Sequence, residues 1–383
     1  MPQTKKKIRI LFFIPGLSEG GAEKVLRNLV NNMDQEQFEI TVHTIDRYNP
    51  EKYLAEGIRY KAINSCNSGF GKKLFSYWFR TCAELKLAYR FFVKDDYDIE
   101  VAYLETVATK IIAQSTNKKA EKIAWVHCDL SLKEGMQDIV GKVKKQYAKY
   151  NKVICVSEGV RRGFEELFGK TFDTVVLPNV IEDKDILEKS REPIQYSMKR
   201  DKIHLIALGR LSQQKNYLYL IETCARLRDA GCSFVLNILG EGSEREKLAQ
   251  KITSLNLQGV VFLRGFIENP YSWLRESDIL VCSSKYEGLS TVIQEALILH
   301  KPVVTTPCSG MEELLGQSEY GMIVDDSKDG LYQGLYSMIN SCELRNRYTD
   351  KARERAESLK KTATIQMIQD FFADLMQENA EGK

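Results

Sequence analysis

Short apolar runs alternate with amphipathic segments along most of the chain. Such runs are typical of strands buried on both faces of a parallel sheet. Their alternation with helical periodicity predicts an α/β fold in which helices cover both faces of parallel sheets. The first series of predicted strands is Ile8–Ile14, Ile40–Ile45, Ile99–Tyr103, Ile123–Val126, Val153–Val156 and Thr174–Leu177, and the second is Ile203–Leu208, Phe234–Leu239, Val260–Leu263, Ile279–Cys282 and Val303–Thr305.

A charged segment separates the two series of strands. It runs from Glu182 to Lys202, lacks strong apolar periodicity and contains Pro193. These properties are typical of a link between domains, and 383 residues suffice for two domains of ordinary size. We therefore predict Rossmann-like domains at 1–181 and 182–360, followed by a helical segment at 361–383.

Composition narrows the class of protein without identifying it. A hydrophobic content of 43% and a charged content of 28% are typical of globular proteins. The nine cysteines form no C-x2-C pair, which argues against a zinc ribbon and favours reduced thiols. No run approaches the ~20 apolar residues of a membrane-spanning helix. We expect a cytoplasmic protein, with a peripheral position on the inner face of the cell membrane as an alternative.

The segment from Asp278 to Leu297 carries the strongest chemical signal. A predicted strand is followed by a polar turn and then by a helical pattern that starts near Ser290. Parallel α/β sheets bind ligands at the carboxyl ends of their strands, and a helix start offers free N–H groups to an anion. Glu287, Glu295 and the backbone of Leu289 and Ser290 are the candidate ligand contacts. Alternatively, a capping box from Thr291 to Gln294 closes the same helix end by itself.

A second strand-end loop contains two cations. Gly209 permits a tight turn after the strand at Ile203–Leu208, and Arg210 and Lys215 follow it. Two fixed cations suit a diphosphate, since each charge-assisted hydrogen bond is worth about 1.5–3 kcal/mol. The alternative is an ordinary strand–loop–helix turn with two solvated cations.

The first domain offers fewer charged candidates. Gly20 and Gly21 lie between its first strand and first helix and permit a close backbone approach to a ligand. Their spacing does not match the dinucleotide-binding fingerprint. Glu23 also suits a carboxylate that is favoured by the helix dipole. His127 ends a predicted strand and Asp129 follows it, and a structural role is the alternative for both.

Together these segments resemble the retaining GT-B glycosyltransferases of family 4, also called glycosyl transferases group 1. The resemblance rests on the G-G-A-E segment, His127, the Gly-Arg and Lys loop, and the E-x7-E segment. It implies that Arg210 and Lys215 bind the donor diphosphate, Glu287 positions the donor sugar, and Glu295 holds the ribose. It also implies that His127 contacts the sugar and that the loop at Gly21 faces the diphosphate.

The same resemblance implies a fold and a reaction. Two Rossmann-like domains would face each other across a cleft, and the last helix would return to the first domain. The reaction would transfer a sugar from a nucleotide-sugar, for which we expect UDP, with retained anomeric configuration. No metal and no further cofactor would be required. Asp183 and Asp185 form a nominal D-x-D metal motif, but in the predicted link we interpret it as incidental.

One segment departs from the family pattern. The usual double glycine is replaced by Ser309 and Gly310 within Cys308–Glu313, which leaves the role of Glu313 open. The family resemblance also leaves alternatives of other classes open. These are a GT-B sugar-nucleotide epimerase and a non-catalytic GT-B subunit that activates a partner transferase. An NAD oxidoreductase is disfavoured by the missing fingerprint.

Residues 69–94 suggest where an acceptor could come from. They hold six lysines and arginines against the single acidic residue Glu84, interleaved with aromatic residues. This composition is typical of a helix on an anionic membrane surface. The alternative is a helix with one apolar face in the core and a solvated basic face. Nucleic acid is not expected, because no recognition motif accompanies the charge. A lipid-linked or surface-polysaccharide acceptor is our expectation.

Overall fold

The computed structural model describes residues 6–17, 20–64, 69–194 and 201–381, without the side chains of 69–74, 76, 80 and 379–381. The chain divides into two compact units. Unit 1 comprises Met1–Val180 and Thr362–Lys383, and unit 2 comprises Ile181–Lys361. Each unit is built around its own parallel β-sheet.

Unit 1 contains a seven-stranded parallel sheet flanked by helices. Its strand order is β3-β2-β1-β4-β5-β6-β7, so the order reverses between the adjacent strands β1 and β4. The strands are β1 Ile8–Phe13, β2 Phe38–Asp46, β3 Arg59–Asn64, β4 Ile99–Ala102, β5 Glu121–Val126, β6 Lys152–Cys155 and β7 Thr174–Val176. The helices are α1 Gly21–Val30, α2 Gly69–Glu84, α3 Ala88–Phe92, α4 Val107–Ile112, α5 Met136–Tyr147 and α6 Glu158–Phe168.

Unit 2 contains a six-stranded parallel sheet of order β10-β9-β8-β11-β12-β13, which reverses between β8 and β11. Its strands are β8 Ile203–Leu208, β9 Phe234–Leu239, β10 Val261–Gly265, β11 Ile279–Cys282, β12 Val303–Thr305 and β13 Met322–Ile323. Its helices are α7 Asp183–Lys189, α8 Tyr217–Asp229, α9 Arg245–Ser254, α10 Pro270–Glu276, α11 Thr291–Ile298, α12 Met311–Leu315, α13 Gly330–Asn340 and α14 Cys342–Ala356.

The core of unit 2 shows why these sequences form these elements. The inward face of α8 is apolar at helical spacing, with Leu220, Cys224 and Leu227 fully buried. These side chains belong to the same core cluster as Leu205 on β8 and Leu236 on β9. Full burial of one such leucine contributes about 1.5–3 kcal/mol relative to exposure. The paired apolar faces therefore fix α8 on the sheet and hold the preceding loop at the end of β8.

The last helix, α15 Lys361–Glu381, continues the chain from unit 2 into unit 1. Phe372 is fully buried and packs edge-on against Phe12 of β1 and Phe38 of β2, with ring centroids 6.0 and 6.4 Å away. The Gln369 side chain accepts a 2.6 Å hydrogen bond from the backbone N–H of Asp34. The helix thus covers part of the sheet of unit 1.

The predicted α/β class with two parallel sheets is confirmed, while some elements differ. Two strands were missed: β3 has charged and polar residues between its apolar ones, and β13 has only two residues. Helix α7 forms in the first part of the predicted link at 182–202, where the weak apolar periodicity gave no sign of a helix. Asp183 and Asp185 lie in the first turn of α7, where carboxylates suit the helix dipole.

Candidate active site

In each sheet the strand order reverses at one place, and the loops that follow those strands carry most of the predicted site residues; His127 instead follows β5. Ligands of open α/β folds bind outside the carboxyl ends of the strands at such reversals. In unit 2 the relevant loops follow β8 and β11, and in unit 1 they follow β1 and β4. Each set of loops is described within its own unit.

The loops after β8 and β11 are fastened to each other by hydrogen bonds. The Ser283 hydroxyl donates to the carbonyl of Lys215 at 2.8 Å, and the N–H of Lys285 donates to the carbonyl of Gln214 at 2.8 Å. The Gln214 side chain in turn donates to the carbonyl of Tyr286 at 3.0 Å. These bonds hold two segments that are about seventy residues apart in sequence in one fixed arrangement.

An ion pair lies between the two fastened loops. Lys215 Nζ is 2.6 Å from Glu287 Oε1, which also accepts a 2.6 Å bond from the Ser284 hydroxyl. Only 18% of the Lys215 side chain and 11% of the Glu287 side chain are exposed. Burial lowers the pKa of the Lys215 ammonium, but the interactions around it, those with Glu287 first among them, together outweigh burial and raise that pKa above its usual value. Lys215 is therefore a fixed, fully charged cation.

Glycines allow the loops of unit 2 to approach closely. Gly209 follows β8 with φ 144°, and a Cβ there would lie 2.9 Å from Lys215 Cε. A Cβ on Gly240, whose φ is 140°, would collide with the carbonyl oxygen of Gly209. A side chain on Gly242 would likewise collide with the carbonyl of Leu211. Backbone packing thus accounts for the glycines that follow β9.

Helix α11 starts beside this ion pair without a side-chain cap. Its N-cap is Ser290, whose side chain makes no capping bond, so the predicted capping box from Thr291 to Gln294 is wrong. Leu289 and Ser290 are buried at this end, and Glu295 is buried in the second turn. The uncapped N–H groups of the first turn are donors suited to an anion.

Two further segments complete the candidate site of unit 2. Gly310, the N-cap of α12 with φ 80°, packs so closely on Gly288 that a Cβ would collide with the Gly288 carbonyl. The carbonyl of Glu313 accepts a hydrogen bond from Arg355. Arg210 is exposed at the end of β8, and its side chain forms no ion pair with the residues that the structure describes. Arg210 is thus available to a ligand.

In unit 1, His127 lies at the end of β5 among aromatic rings. Its ring centroid is 4.7 Å from that of Tyr103, and it stacks on Trp125 at 6.2 Å. Burial lowers the pKa of His127 to about 3, so the imidazole is neutral at physiological pH. Within the described parts of the chain, no hydrogen-bond partner reaches His127 Nε2, the Tyr103 hydroxyl or Trp125 Nε1.

A buried carboxylate that sequence reasoning missed holds the His127 segment. Glu105 Oε1 accepts hydrogen bonds from the backbone N–H of His127 and, at 3.1 Å, from that of Cys128. Burial raises the pKa of Glu105. A single glutamate two residues beyond a predicted strand gives little signal, and only its position at the strand end could have indicated this role.

Other candidates of unit 1 have local structural partners. Asp129 caps a 3-10 turn at Leu130–Leu132 by accepting a 3.0 Å bond from the Ser131 N–H. Gly20 is the N-cap of α1, and a side chain there would collide with the Glu23 carboxylate. Glu23 lies in the first turn of α1, as the helix-dipole alternative predicted. Gly21 is the exposed first residue of α1.

Two searches of the described residues address metals and membranes. No group of three or more histidine, cysteine, aspartate or glutamate residues in the described ranges is arranged to hold a metal ion. In the same ranges, no helix combines the length and the apolar character that a bilayer-spanning segment needs.

Part of the second half of the chain is similar to a known protein family. The model of the glycosyl transferases group 1 matches residues 188–355, which hold the Lys215–Glu287 pair and α11. Residues 188–355 are similar to the glycosyl transferases group 1 and are called the group 1 domain below. This group 1 domain coincides with most of unit 2. The predicted resemblance to the glycosyl transferases group 1 is confirmed for these residues, whereas the assignment to family 4 stays a prediction.

Curated relatives match parts of the chain. It is 36% identical over 188 residues to N-acetylgalactosamine-N,N'-diacetylbacillosaminyl-diphospho-undecaprenol 4-alpha-N-acetylgalactosaminyltransferase of Campylobacter jejuni, covering 49% of this chain and 50% of the relative. It is 33% identical over 239 residues to an uncharacterized glycosyltransferase of Methanocaldococcus jannaschii, covering 60% and 58%. The matches thus span about half the length of these relatives.

A solved structure matches the whole fold. Anabaena Alr3699/HepE, in complex with UDP and glucose, is 20% identical to this chain and has a TM-score of 0.73. The match covers 97% of this chain and 99% of that protein. This likeness confirms the predicted GT-B fold.

Proposed function

We propose that the protein is a retaining glycosyltransferase that moves a sugar from a UDP-sugar to a hydroxyl of a lipid-linked or surface-polysaccharide acceptor. The observation that carries the proposal is the buried Lys215–Glu287 pair beside the uncapped start of α11, within a group 1 domain. The UDP complex of the Anabaena protein and the undecaprenol-linked substrate named for the Campylobacter relative support the donor and the acceptor class.

The charges of unit 2 suit a reaction that releases a diphosphate. Lys215, exposed Arg210 and the first-turn N–H groups of α11 would stabilise the negative charge that develops on the leaving group. Lys215 has three N–H donors, so its bond to Glu287 leaves two for phosphate oxygens. A metal ion is not needed in this scheme, because the cations and amides are already in place.

The carboxylates and the histidine would hold the sugar-containing parts of the donor. Glu287 accepts bonds from Lys215 and Ser284 through one oxygen, Oε1, and its other oxygen suits a hydroxyl of the donor sugar. Glu295 is assigned to the ribose. Neutral His127 offers an unpaired Nε2 to a sugar hydroxyl, and the backbone at Gly21 is assigned to the diphosphate.

Loss of the proposed phosphate contacts tests the function. We expect Lys215→Ala to lower kcat/KM for sugar transfer by about 10²–10³, similar to loss of one strong transition-state donor, and Arg210→Ala by about tenfold or more. Lys328→Ala, at an exposed lysine of the same unit, is the matched control. Transfer at the wild-type rate by both site variants would refute the assignment, and NMR of the product's anomeric proton tests retention.

The acceptor class fits an exposed surface of unit 1. On α2 and α3, Tyr77 is 74%, Trp78 47% and Phe91 48% exposed, and Arg90, which precedes Phe91 in the sequence, is exposed as well. Exposed aromatic rings next to cations favour contact with an anionic membrane surface. The side chains of Lys72, Lys73 and Arg80, also predicted for this surface, lie outside the described side chains.

Liposome sedimentation tests the membrane contact. Trp78→Ser combined with Phe91→Ser should reduce binding to phosphatidylglycerol vesicles by about tenfold or more, because the protein loses two rings that would insert into the membrane surface. Phe266→Ser, which removes an exposed ring from unit 2, is the control. Undiminished binding of the double variant would exclude this surface as the anchor.

A further inference from the structure

A mostly apolar cavity lies between α4 and α5 of unit 1. Its volume is about 240 Å³. This exceeds the ~150 Å³ of an apolar cavity that stays dry and takes up benzene. No residue proposed to bind the donor lines it. Its apolar wall is formed mainly by Val107, Leu130, Met136, Ile139, Val143 and Tyr147.

Two lysines give this cavity a charged side. Lys110 of α4 and Lys142 of α5 are on its wall, and both ammonium groups pair with the Glu84 carboxylate of α2. Glu84 is 63% exposed, so it can be released to water when another anion takes its place. The cavity therefore combines an apolar interior with two cations that converge on one anion.

The wall of the cavity is connected to the His127 segment. Glu105 contributes to the wall and also accepts the hydrogen bonds from the N–H groups of His127 and Cys128. The next wall residue, Thr106, has φ 75° and ψ −95°, a strained conformation for a β-branched residue. Such strain occurs most often at active sites and ligand sites.

We propose that this cavity binds the aliphatic chain next to an anionic head group, with the head group replacing Glu84 on Lys110 and Lys142. The ligand class is thus a single-chain phosphate amphiphile. This inference rests on the proposed function in one respect: it assigns the cavity to the lipid-phosphate part of the acceptor. An uncharged chain would leave the lysines paired with Glu84, and free phosphate would leave the apolar wall empty.

Calorimetry with decyl phosphate below its micelle concentration tests the proposal without donor or transfer. We expect decyl phosphate to bind at least about tenfold more tightly than decanol or inorganic phosphate, since neither uses both halves of the site. Val143→Trp, which fills the cavity from a partly exposed helix position, should weaken binding by about tenfold or more. Lys110→Ala combined with Lys142→Ala should lower the affinity for decyl phosphate to that for decanol.

Controls separate the outcomes. Lys144→Ala combined with Lys145→Ala removes two exposed charges from α5 that do not line the cavity, and should leave binding unchanged. Circular dichroism melting verifies that Val143→Trp is folded. Wild-type affinity in Val143→Trp, or equal binding of inorganic phosphate alone, would overturn the proposal. Decyl phosphate binding without any UDP binding would leave the cavity assignment standing while the proposed function fails.

Discussion

The two units present opposite chemistry at corresponding strand ends. In unit 2, the loops after β8 and β11 hold the buried ion pair of Lys215 and Glu287 beside an uncapped helix start. In unit 1, the strand ends present neutral aromatic rings around His127 and an apolar cavity. A diphosphate requires fixed charges and N–H donors, whereas sugars and lipid chains are bound by rings and apolar walls.

The difference also concerns how each site is held. The unit 2 loops are fastened by direct bonds between the functional segments, such as Ser283 to the Lys215 carbonyl. In unit 1, the His127 backbone is held by buried Glu105, which is not itself a predicted ligand contact. We therefore expect substitutions in the unit 2 loops to alter the charge of the site directly. In unit 1, we expect substitutions to act by shifting the position of His127.

The largest expected effect is on the stability of unit 1 alone. Phe372→Ala should lower the free energy of unfolding of unit 1 by about 3–5 kcal/mol, because the loss of a fully buried ring that packs on β1 and β2 leaves a cavity. Hydrogen exchange by mass spectrometry would show faster exchange in β1 and β2, with β8 and β11 unchanged. Met367→Ala, at an exposed position of the same helix, is the control. Equal acceleration in both sheets would show that the units are not independent.

A smaller effect should separate donor binding from transfer in unit 2. Glu287→Gln removes the negative charge that neutralises Lys215 while keeping the side-chain shape. UDP affinity should stay equal or increase, because the charge of Lys215 is no longer balanced. In contrast, kcat should fall by about 10², because the donor sugar loses its hydrogen bond to the Glu287 carboxylate. The two quantities are measured by calorimetry and by transfer kinetics. A parallel loss of affinity and kcat would contradict separate roles for Lys215 and Glu287.

The smallest expected effect concerns pH and unit 1. The pKa of His127 is about 3 in the folded state, against 6.5 for an unperturbed histidine, so the unfolded state takes up a proton between these values that the folded state does not. Stability is therefore present above about pH 6.5 and falls as the pH decreases, by at most about 1.4 kcal/mol per pH unit. His43, whose pKa is about 4, contributes in the same direction.

Urea unfolding near neutral pH and about two pH units lower, in wild type and His127→Asn, isolates the contribution of His127. The wild type should lose more stability on acidification than the variant, since only the wild type carries the low-pKa imidazole. An identical loss in both proteins would show that His127 is not buried in its neutral form.

The sequence predicted the grouping of polar residues at the strand ends of unit 2 better than the grouping in unit 1, for a physical reason. Lys215 and Glu287 are polar residues at the ends of apolar strands, and parallel strands bring such ends to one edge of a sheet. Their direct ion pair was not predictable, because it depends on how two distant loops fasten to each other. The role of Glu105 and the cavity beside Thr106 depend on the packing of α4 on α5, which apolar periodicity does not specify.

The central claim is that the group 1 domain binds a nucleoside diphosphate through Lys215 and without a metal. Calorimetric titration of UDP in the presence of EDTA, into wild type, Lys215→Ala and Lys328→Ala, tests it most directly. The account predicts binding to the wild type and to Lys328→Ala, and a loss of about tenfold or more in Lys215→Ala. Equal UDP affinity in all three proteins, or no binding by the wild type, would contradict it.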